Sequence, residues 1–152
     1  MRKFWLFVKF WLPPLLWMSV IFCASTSAGS FNHSSRILAP LLRWLYPGIA
    51  DATVNDLVFA ARKMAHLTEY GLFAILLWRA IRQHTAKDTR PWRWREAGWA
   101  VLIVACYAAT DEFHQTFVPG RGPAVHDVLL DTLGGALGLV VLWAVGRKIK
   151  RW

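Results

Sequence analysis

A chain of 152 residues is long enough for one domain, and its 56% hydrophobic content exceeds the roughly 45–50% that is usual for soluble domains. The net charge of +9 comes from short basic clusters between apolar runs, a distribution that encodes membrane topology and argues against nucleic-acid binding. Two cysteines, one of them deep in an apolar run, argue against a structural disulfide. The composition therefore predicts a small integral membrane protein.

The first apolar run, residues 4–24, is interrupted only by Lys9 and has the roughly 20 residues that a membrane-spanning helix needs. Its basic start and the small residues after position 24 also resemble a cleaved signal peptide. However, the run is longer than the roughly 7–15 apolar residues of such signals, which favours a retained helix. Lys9 is close enough to the membrane interface for its charge to reach water, so we assign it no function.

A polar stretch, residues 25–50, follows the first helix. Within it Ile37, Leu41 and Leu45 recur at helical spacing beside basic and aromatic residues. This pattern predicts a short amphipathic helix in the first outer loop. We interpret it as an anchor at the membrane interface in preference to a lid over a polar site.

The second long helix is predicted over residues 54–82, with Thr53 and Asp56 resembling a capping box at its start. Four polar residues interrupt its apolar sequence at spacings of three and four, which puts them on one stripe of the helix. They are Lys63, His66, Glu69 and Tyr70. Ionisable groups cost about 2.5–3.5 kcal/mol each at the centre of a membrane helix, so this stripe is expected to face protein or water.

The third helix is predicted over residues 97–118 and is apolar until its last turns. There Asp111, His114 and Gln115 share one face by the rule of three and four. Glu112 points about 100° away from that face. The end of this helix therefore supplies a second polar stripe.

The fourth helix is predicted over residues 126–146, after a turn that contains Arg121. Asp127 and Asp131 lie one helical turn apart near its start and form a third polar stripe. Small residues at a spacing of four mark a face for close packing against a neighbouring helix. They are Gly134 and Gly138.

The lysines and arginines of the loops are distributed unevenly. Twelve lie at the amino terminus, in the connector of residues 79–95 and in the tail after Gly146, whereas three lie in the other loops. The positive-inside rule then predicts an all-α, four-helix membrane bundle whose two termini face the cytoplasm. In that orientation the three polar stripes meet in the outer half of the membrane.

Three sequence blocks carry these polar residues: KMAHLTEY at 63–70, DEFHQTFVPGR at 111–121 and DVLLDTLGGALG at 127–138. In their order and polar residues they resemble the signature blocks of the VanZ-like family of small bacterial membrane proteins. That family is named for an accessory protein that gives low-level resistance to teicoplanin, a glycopeptide that acts on cell-wall precursors outside the cytoplasmic membrane. The resemblance implies the bacterial cytoplasmic membrane and a role in glycopeptide tolerance, and it implies no reaction.

The favoured function is a binding module. Lys63 and Arg121 would engage a phosphate or carboxylate of an outer-leaflet ligand, either a lipid headgroup or a lipid-linked wall intermediate. The predicted ligand-binding residues are Lys63, His66, Glu69, Tyr70, Asp111, Glu112, His114, Gln115, Arg121, Asp127 and Asp131.

Besides proton- or ion-coupled transport, the least favoured function, two alternatives stay open. One is a membrane hydrolase or transferase acting on a lipid-linked envelope substrate, with His66, Glu69, Asp111, His114 and Asp127 as acid–base candidates. All of these except Asp111 are also candidate ligands for a divalent metal, although no thiolate and no HExxH run accompanies them. The other alternative is a buried ion network that only locks the helices together.

Overall fold

In the computed structural model, residues 1–25, 31–85, 87–117 and 125–152 are described, and this part of the chain forms five α-helices and no strand. The helices are α1 (Arg2–Ser25), α2 (Phe31–Leu45), α3 (Asp51–Arg82), α4 (Trp94–Gln115) and α5 (Val125–Lys148). The all-α prediction is confirmed for these residues, including the short helix in the first loop. Two helices, α1 over Phe4–Ser25 and α5, are long and apolar enough to cross a membrane.

The start of α3 differs from the prediction. The helix begins at Asp51, so Thr53 lies inside its first turn, and Ala50 precedes it without a side-chain capping bond. An acidic residue in the first turn complements the helix dipole. The carboxylate of Asp51 also accepts a hydrogen bond from Arg43 Nη2 at 2.7 Å, which ties α2 to α3. The predicted capping box was therefore wrong, because the helix begins two residues before Thr53.

The end of α4 also differs from the prediction. The helix stops at Gln115 and not at residue 118. The backbone N–H groups of Thr116 and Phe117 bond to oxygens three residues back, which tightens the chain into a turn. The polar end of α4 is therefore shorter than predicted.

The four long helices, α1, α3, α4 and α5, pack side by side and alternate in direction. Contacting residues ascend together between α3 and α5 and between α1 and α4, so these pairs are parallel. They run in opposite order between α3 and α4 and between α1 and α3. For the parallel pairs, the contacts are Lys63–Asp127 and His66–Asp131 between α3 and α5, and Met18–Tyr107 and Ser25–Asp111 between α1 and α4. For the antiparallel pairs, they are Tyr70–Asp111 and Phe73–Tyr107 between α3 and α4, and Trp17–Glu69 and Phe10–Arg79 between α1 and α3.

The crossing of α3 and α5 depends on residues without side chains. A Cβ atom on Gly138 would lie 2.6 Å from the backbone oxygen of Gly71, and one on Gly134 would lie 2.7 Å from the backbone oxygen of Leu67. The two backbones are thus in direct contact. This confirms that Gly134 and Gly138 form a packing face.

The connector between α3 and α4 is organised by Arg82, whose side chain is 1% exposed. Its guanidinium donates to Asp88 at 2.9 Å and to Glu96 at 3.0 Å, and also to the backbone oxygens of Arg90 and Pro91. A planar fork with five N–H donors can serve several acceptors at once. The connector is therefore a folded segment, and the interpretation of its basic residues as a topology signal was incomplete for Arg82.

Beside the connector, aromatic rings from distant parts of the chain pack together. Trp78 stacks on Trp92 with ring centroids 4.8 Å apart, and Trp152 meets Trp78 edge-on at 5.7 Å. A Cβ atom on Gly146 would collide with the ring of Trp152, so this glycine makes room for the carboxy-terminal residue. The tail is thereby held at the end of the molecule opposite the predicted polar residues.

Candidate functional site

One end of the long helices gathers the residues that were predicted to form a polar site. Since consecutive long helices alternate in direction, the last turns of α1 and α4 meet the first half of α3 and of α5 there. Arg121 lies outside the described residues, and the other predicted site residues all lie at this end. The following contacts define how they are arranged.

Two ion pairs join α3 to α5 across this end. Lys63 Nζ pairs with Oδ1 of Asp127, and the two side chains are 28% and 29% exposed. His66 Nδ1 lies 3.3 Å from Oδ1 of Asp131, at ion-pair distance but without the alignment of a hydrogen bond. Asp131 is 1% exposed. Both partners of the first pair are therefore open to a ligand, whereas in the second pair only His66 is accessible, at 24% exposure.

Asp111 connects three helices. Its Oδ2 accepts hydrogen bonds from the hydroxyl of Ser25 at 2.6 Å, from Nε2 of Gln115 at 3.1 Å and from the hydroxyl of Tyr70 at 3.4 Å. Its Oδ1 is buried without a hydrogen-bond partner. Burial of an ion costs several kcal/mol unless donors compensate it, so these contacts hold α1, α3 and α4 to one carboxylate.

Three further predicted residues, His114, Glu112 and Glu69, lie at the same end of the helices. His114 packs its ring on Phe22 of α1, with centroids 4.4 Å apart, and its Nδ1 has no hydrogen-bond partner. Glu112, which was expected to point away from the shared face, is buried as well. Glu69 lies within electrostatic range of His66. The end of α4 is thus buried on more than the one face that its spacing predicted.

The candidate metal ligands are not brought together. Among the residues that the structure describes, no group of three or more His, Cys, Asp or Glu side chains is placed to hold a metal ion. His66 is directed to Asp131, His114 packs on Phe22, and Asp127 pairs with a lysine. The predicted metal ligands His66, Glu69, His114 and Asp127 do not form such a group among the described residues, and a metal site stays a prediction.

A cavity of about 120 Å³ opens beside the exposed ion pair. Its lining residues are Phe59, Arg62, Lys63, His66, Gln115 and Asp127. The lining thus combines the basic side chains of Arg62 and Lys63 with the carboxylate of Asp127. The Lys63 Nζ also lies 5.4 Å from the ring centroid of Phe59. The cavity therefore has the size and the basic side chains to receive a small anionic group.

Three residues that contribute to this end were not predicted as site residues. Ser25 bonds to the buried carboxylate on α4, Trp17 Nε1 donates to the backbone oxygen of Glu69 at 2.9 Å, and Arg62 lines the cavity. The sequence holds a signal for two of them. Ser25 is the polar residue that ends the first apolar run, and Arg62 lies four residues before His66 on the same helix face.

Apolar helices that bury their polar groups at one end define a class of small helical membrane protein. The comparison with known families gives a more specific result. The model of the VanZ/LLP1 family matches residues 10–146. The chain belongs to the VanZ/LLP1 family, and this confirms the resemblance seen in its three sequence blocks. No curated protein and no solved structure matches it significantly.

Proposed function

We propose that the protein spans the bacterial cytoplasmic membrane four times and binds an anionic group of an outer-leaflet ligand in the cavity beside Lys63. The spanning helices are α1, α3, α4 and α5, whose lengths of 22 to 32 residues reach the roughly 20 residues that a bilayer requires. α3 and α4 are less apolar than the other two because the polar residues of the site interrupt them. Buried contacts at the site compensate the free-energy cost of placing these polar residues in a membrane.

The distribution of charge supports an orientation with both termini in the cytoplasm. The polar cavity lies at one end of the helices, and the basic connector with the basic tail lies at the other. Basic loops remain on the cytoplasmic side of membranes. The cavity then opens toward the outer leaflet.

α2 supports the same orientation as an interfacial anchor. Its apolar Ile37, Leu41 and Leu45 are exposed together with Trp44. An amphipathic helix with exposed leucines and tryptophan on one side inserts that side into the headgroup region. The bond between Arg43 and the start of α3 would fix it at the outer ends of the spanning helices.

The cavity is the observation on which the proposal rests. Lys63 can exchange its carboxylate partner for a phosphate, which forms strong charge-assisted hydrogen bonds with a lysine, and Arg62 lines the same cavity. Lipid headgroups and lipid-linked wall intermediates both present such a phosphate. We prefer binding to hydrolysis or transfer because three of the five acid–base candidates, Glu69, Asp111 and His114, do not line the cavity.

A protein that holds a lipid-linked wall intermediate at the outer face would act on the molecules that glycopeptides recognise. Family membership supports this cellular setting. A contribution to teicoplanin tolerance is therefore the biological role that we propose.

The test compares Lys63→Gln with Lys148→Gln, which removes an exposed lysine at the opposite end. Binding of dioleoylphosphatidylglycerol to the purified full chain is measured by native mass spectrometry. Lys63→Gln should weaken binding by about tenfold or more, since a hydrogen bond to a charged group contributes about 1.5–3 kcal/mol. Lys148→Gln should stay within about twofold.

The same variants are scored for folded protein in the membrane and for the teicoplanin concentration that stops growth of cells producing them. Binding should fall while the folded amount remains that of the original chain. A loss of folded protein that parallels the loss of binding would mean that the Lys63–Asp127 pair only locks α3 to α5.

A further inference from the structure

We propose that the groove between α3 and α5 holds one acyl chain of the lipid whose headgroup occupies the cavity. This inference rests on the proposed function and adds the chemical class of its ligand. The groove has a volume of about 540 Å³ and is open to the outside of the protein. Its walls include Met64, Leu67 and Ile75 of α3 and Leu137 and Val141 of α5.

The chemistry of the groove suits a hydrocarbon chain. The hydroxyl of Thr68, the polar side chain in this lining, already donates to the backbone oxygen of Met64 at 2.8 Å. The floor is formed by Gly71, Gly134 and Gly138, where the two backbones touch and no side chain fills the space above them. An occupant of the groove therefore needs no hydrogen-bonding groups, and covering the apolar walls with CH₂ groups is energetically favourable.

The length of the groove matches one leaflet. From Met64 to Ile75 the helix advances by eleven residues, which is about 16 Å at 1.5 Å per residue. This is about half of the 30 Å hydrocarbon thickness of a bilayer. A chain of one outer-leaflet lipid needs that depth, so the length of the groove suits an acyl chain.

The groove lies next to the cavity on the same helix. Lys63 and His66 line the cavity, and the next residue after each, Met64 and Leu67, lines the groove. The cavity lies toward the start of α3 and the groove extends from there toward its middle. A lipid with its phosphate beside Lys63 therefore has an apolar channel on the adjacent face, in the direction in which its chains must run.

The experiment separates the contribution of the chain from that of the headgroup. The purified full chain is titrated with dioleoylphosphatidylglycerol and with dihexanoylphosphatidylglycerol, which has the same headgroup and short chains, and bound lipid is measured by native mass spectrometry. Leu137→Trp and Val141→Trp place a larger side chain in the groove. Val140→Trp is the matched control, because Val140 is also exposed and does not line the groove.

The original chain and Val140→Trp should bind the long-chain lipid at least about tenfold more tightly than the short-chain lipid. Both groove variants should lose that preference and leave short-chain binding unchanged. Since Leu137 and Val141 are themselves exposed, neither substitution needs space inside the protein.

Three other results would overturn the inference. Groove variants that keep the preference, while Lys63→Gln weakens both lipids, would leave the headgroup cavity standing without an acyl site. Groove variants that remove a dimer from the mass spectrum and leave lipid binding unchanged would make the groove an interface between two copies. Failure of Lys63→Gln to weaken either lipid would remove the proposed function and the inference together.

Discussion

Asp111 shows how a single residue links the stability of the fold to the polar end. It is 3% exposed, and three donors from α1, α3 and α4 bond to one of its oxygens. A carboxylate in this position is unfavourable without those donors, because its lost hydration must be compensated inside the protein. The donors therefore contribute to stability, and one of them, Gln115, also lines the proposed ligand cavity.

Ser25 gives the first prediction. Ser25→Ala should lower the free energy of unfolding by about 1–3 kcal/mol, since a buried carboxylate loses the shortest of its hydrogen bonds. Thermal unfolding in detergent measures the change. Ser19→Ala on the same helix removes an exposed hydroxyl that bonds to its own backbone at Leu15, and it should change stability by less than about 0.5 kcal/mol. Equal effects of both substitutions would contradict the role assigned to Ser25.

Asp88 in the connector gives a prediction on pH. Hydrogen bonds from Arg90, together with those from His84 and Arg82, hold the pKa of its carboxyl well below the usual range. A lowered pKa means that the ionised group stabilises the folded state. That contribution is complete above about pH 4, the value of the unfolded chain, and is lost as the pH falls below it toward the folded pKa.

Asp88→Asn should therefore destabilise the protein at pH 7 and reduce the further loss of stability between about pH 4 and pH 2. Unfolding at a series of pH values measures both effects. The exposed Asp56→Asn should reproduce the curve of the original chain. A curve for Asp88→Asn that runs parallel to the original at all pH values would show that this carboxyl does not carry the acid sensitivity.

At the scale of helices, the crossing of α3 and α5 sets the geometry of the site. Backbone contact at Gly71, Gly134 and Gly138 brings Lys63 within reach of Asp127 and also forms the floor of the groove. Neither backbone can give way to a side chain without a shift of the whole helix. The ion pair and the groove therefore depend on the same glycines.

Gly138→Ala should lower the free energy of unfolding by about 1–3 kcal/mol, because the added Cβ would lie 2.6 Å from a backbone oxygen. Gly98→Ala in α4 is the control, since nothing lies within 4 Å of its Cβ position. Alanine favours a helix interior over glycine by about 0.5–1 kcal/mol, so the control should gain stability. Thermal unfolding compares the two, and a gain at both positions would mean that the crossing has room for a side chain.

At the scale of the whole molecule, alternating helix directions separate two ends of different chemistry. One end holds the cavity and the buried carboxylates, and the other holds the basic connector with its aromatic cluster. The hydrophobic sides between them are exposed over most of α1 and α5. Such a surface fits a bilayer, and the difference between the ends fits a fixed orientation in it.

Labelling of single cysteines tests that orientation in a chain whose Cys23 and Cys106 are replaced by serine. A membrane-impermeant maleimide should label Val125→Cys in intact cells and Thr89→Cys only after permeabilisation. Both positions are exposed, so access to the reagent depends on the side of the membrane. The opposite pattern would place the cavity in the cytoplasm and exclude an outer-leaflet ligand.

The sequence by itself determined the helices, the packing glycines and the polar residues that an apolar helix cannot leave in lipid. These depend on local spacing and on transfer from water, so no knowledge of partners is needed. The alternation of polar stripes with basic loops also indicated that the stripes share one end. The sequence determined helix boundaries less closely: α3 begins at Asp51, three residues before the predicted start, and has no side-chain cap.

Only the tertiary structure decided which polar group meets which. In that structure Ser25 bonds to Asp111, the ring of His114 packs on Phe22, and Arg82 bonds to residues of the connector. Spacing along one helix defines a face but not the rotation of that face against its neighbours. That rotation follows from the packing of side chains that lie far apart in the sequence. It therefore decides whether the polar residues form a set of metal ligands or line a cavity.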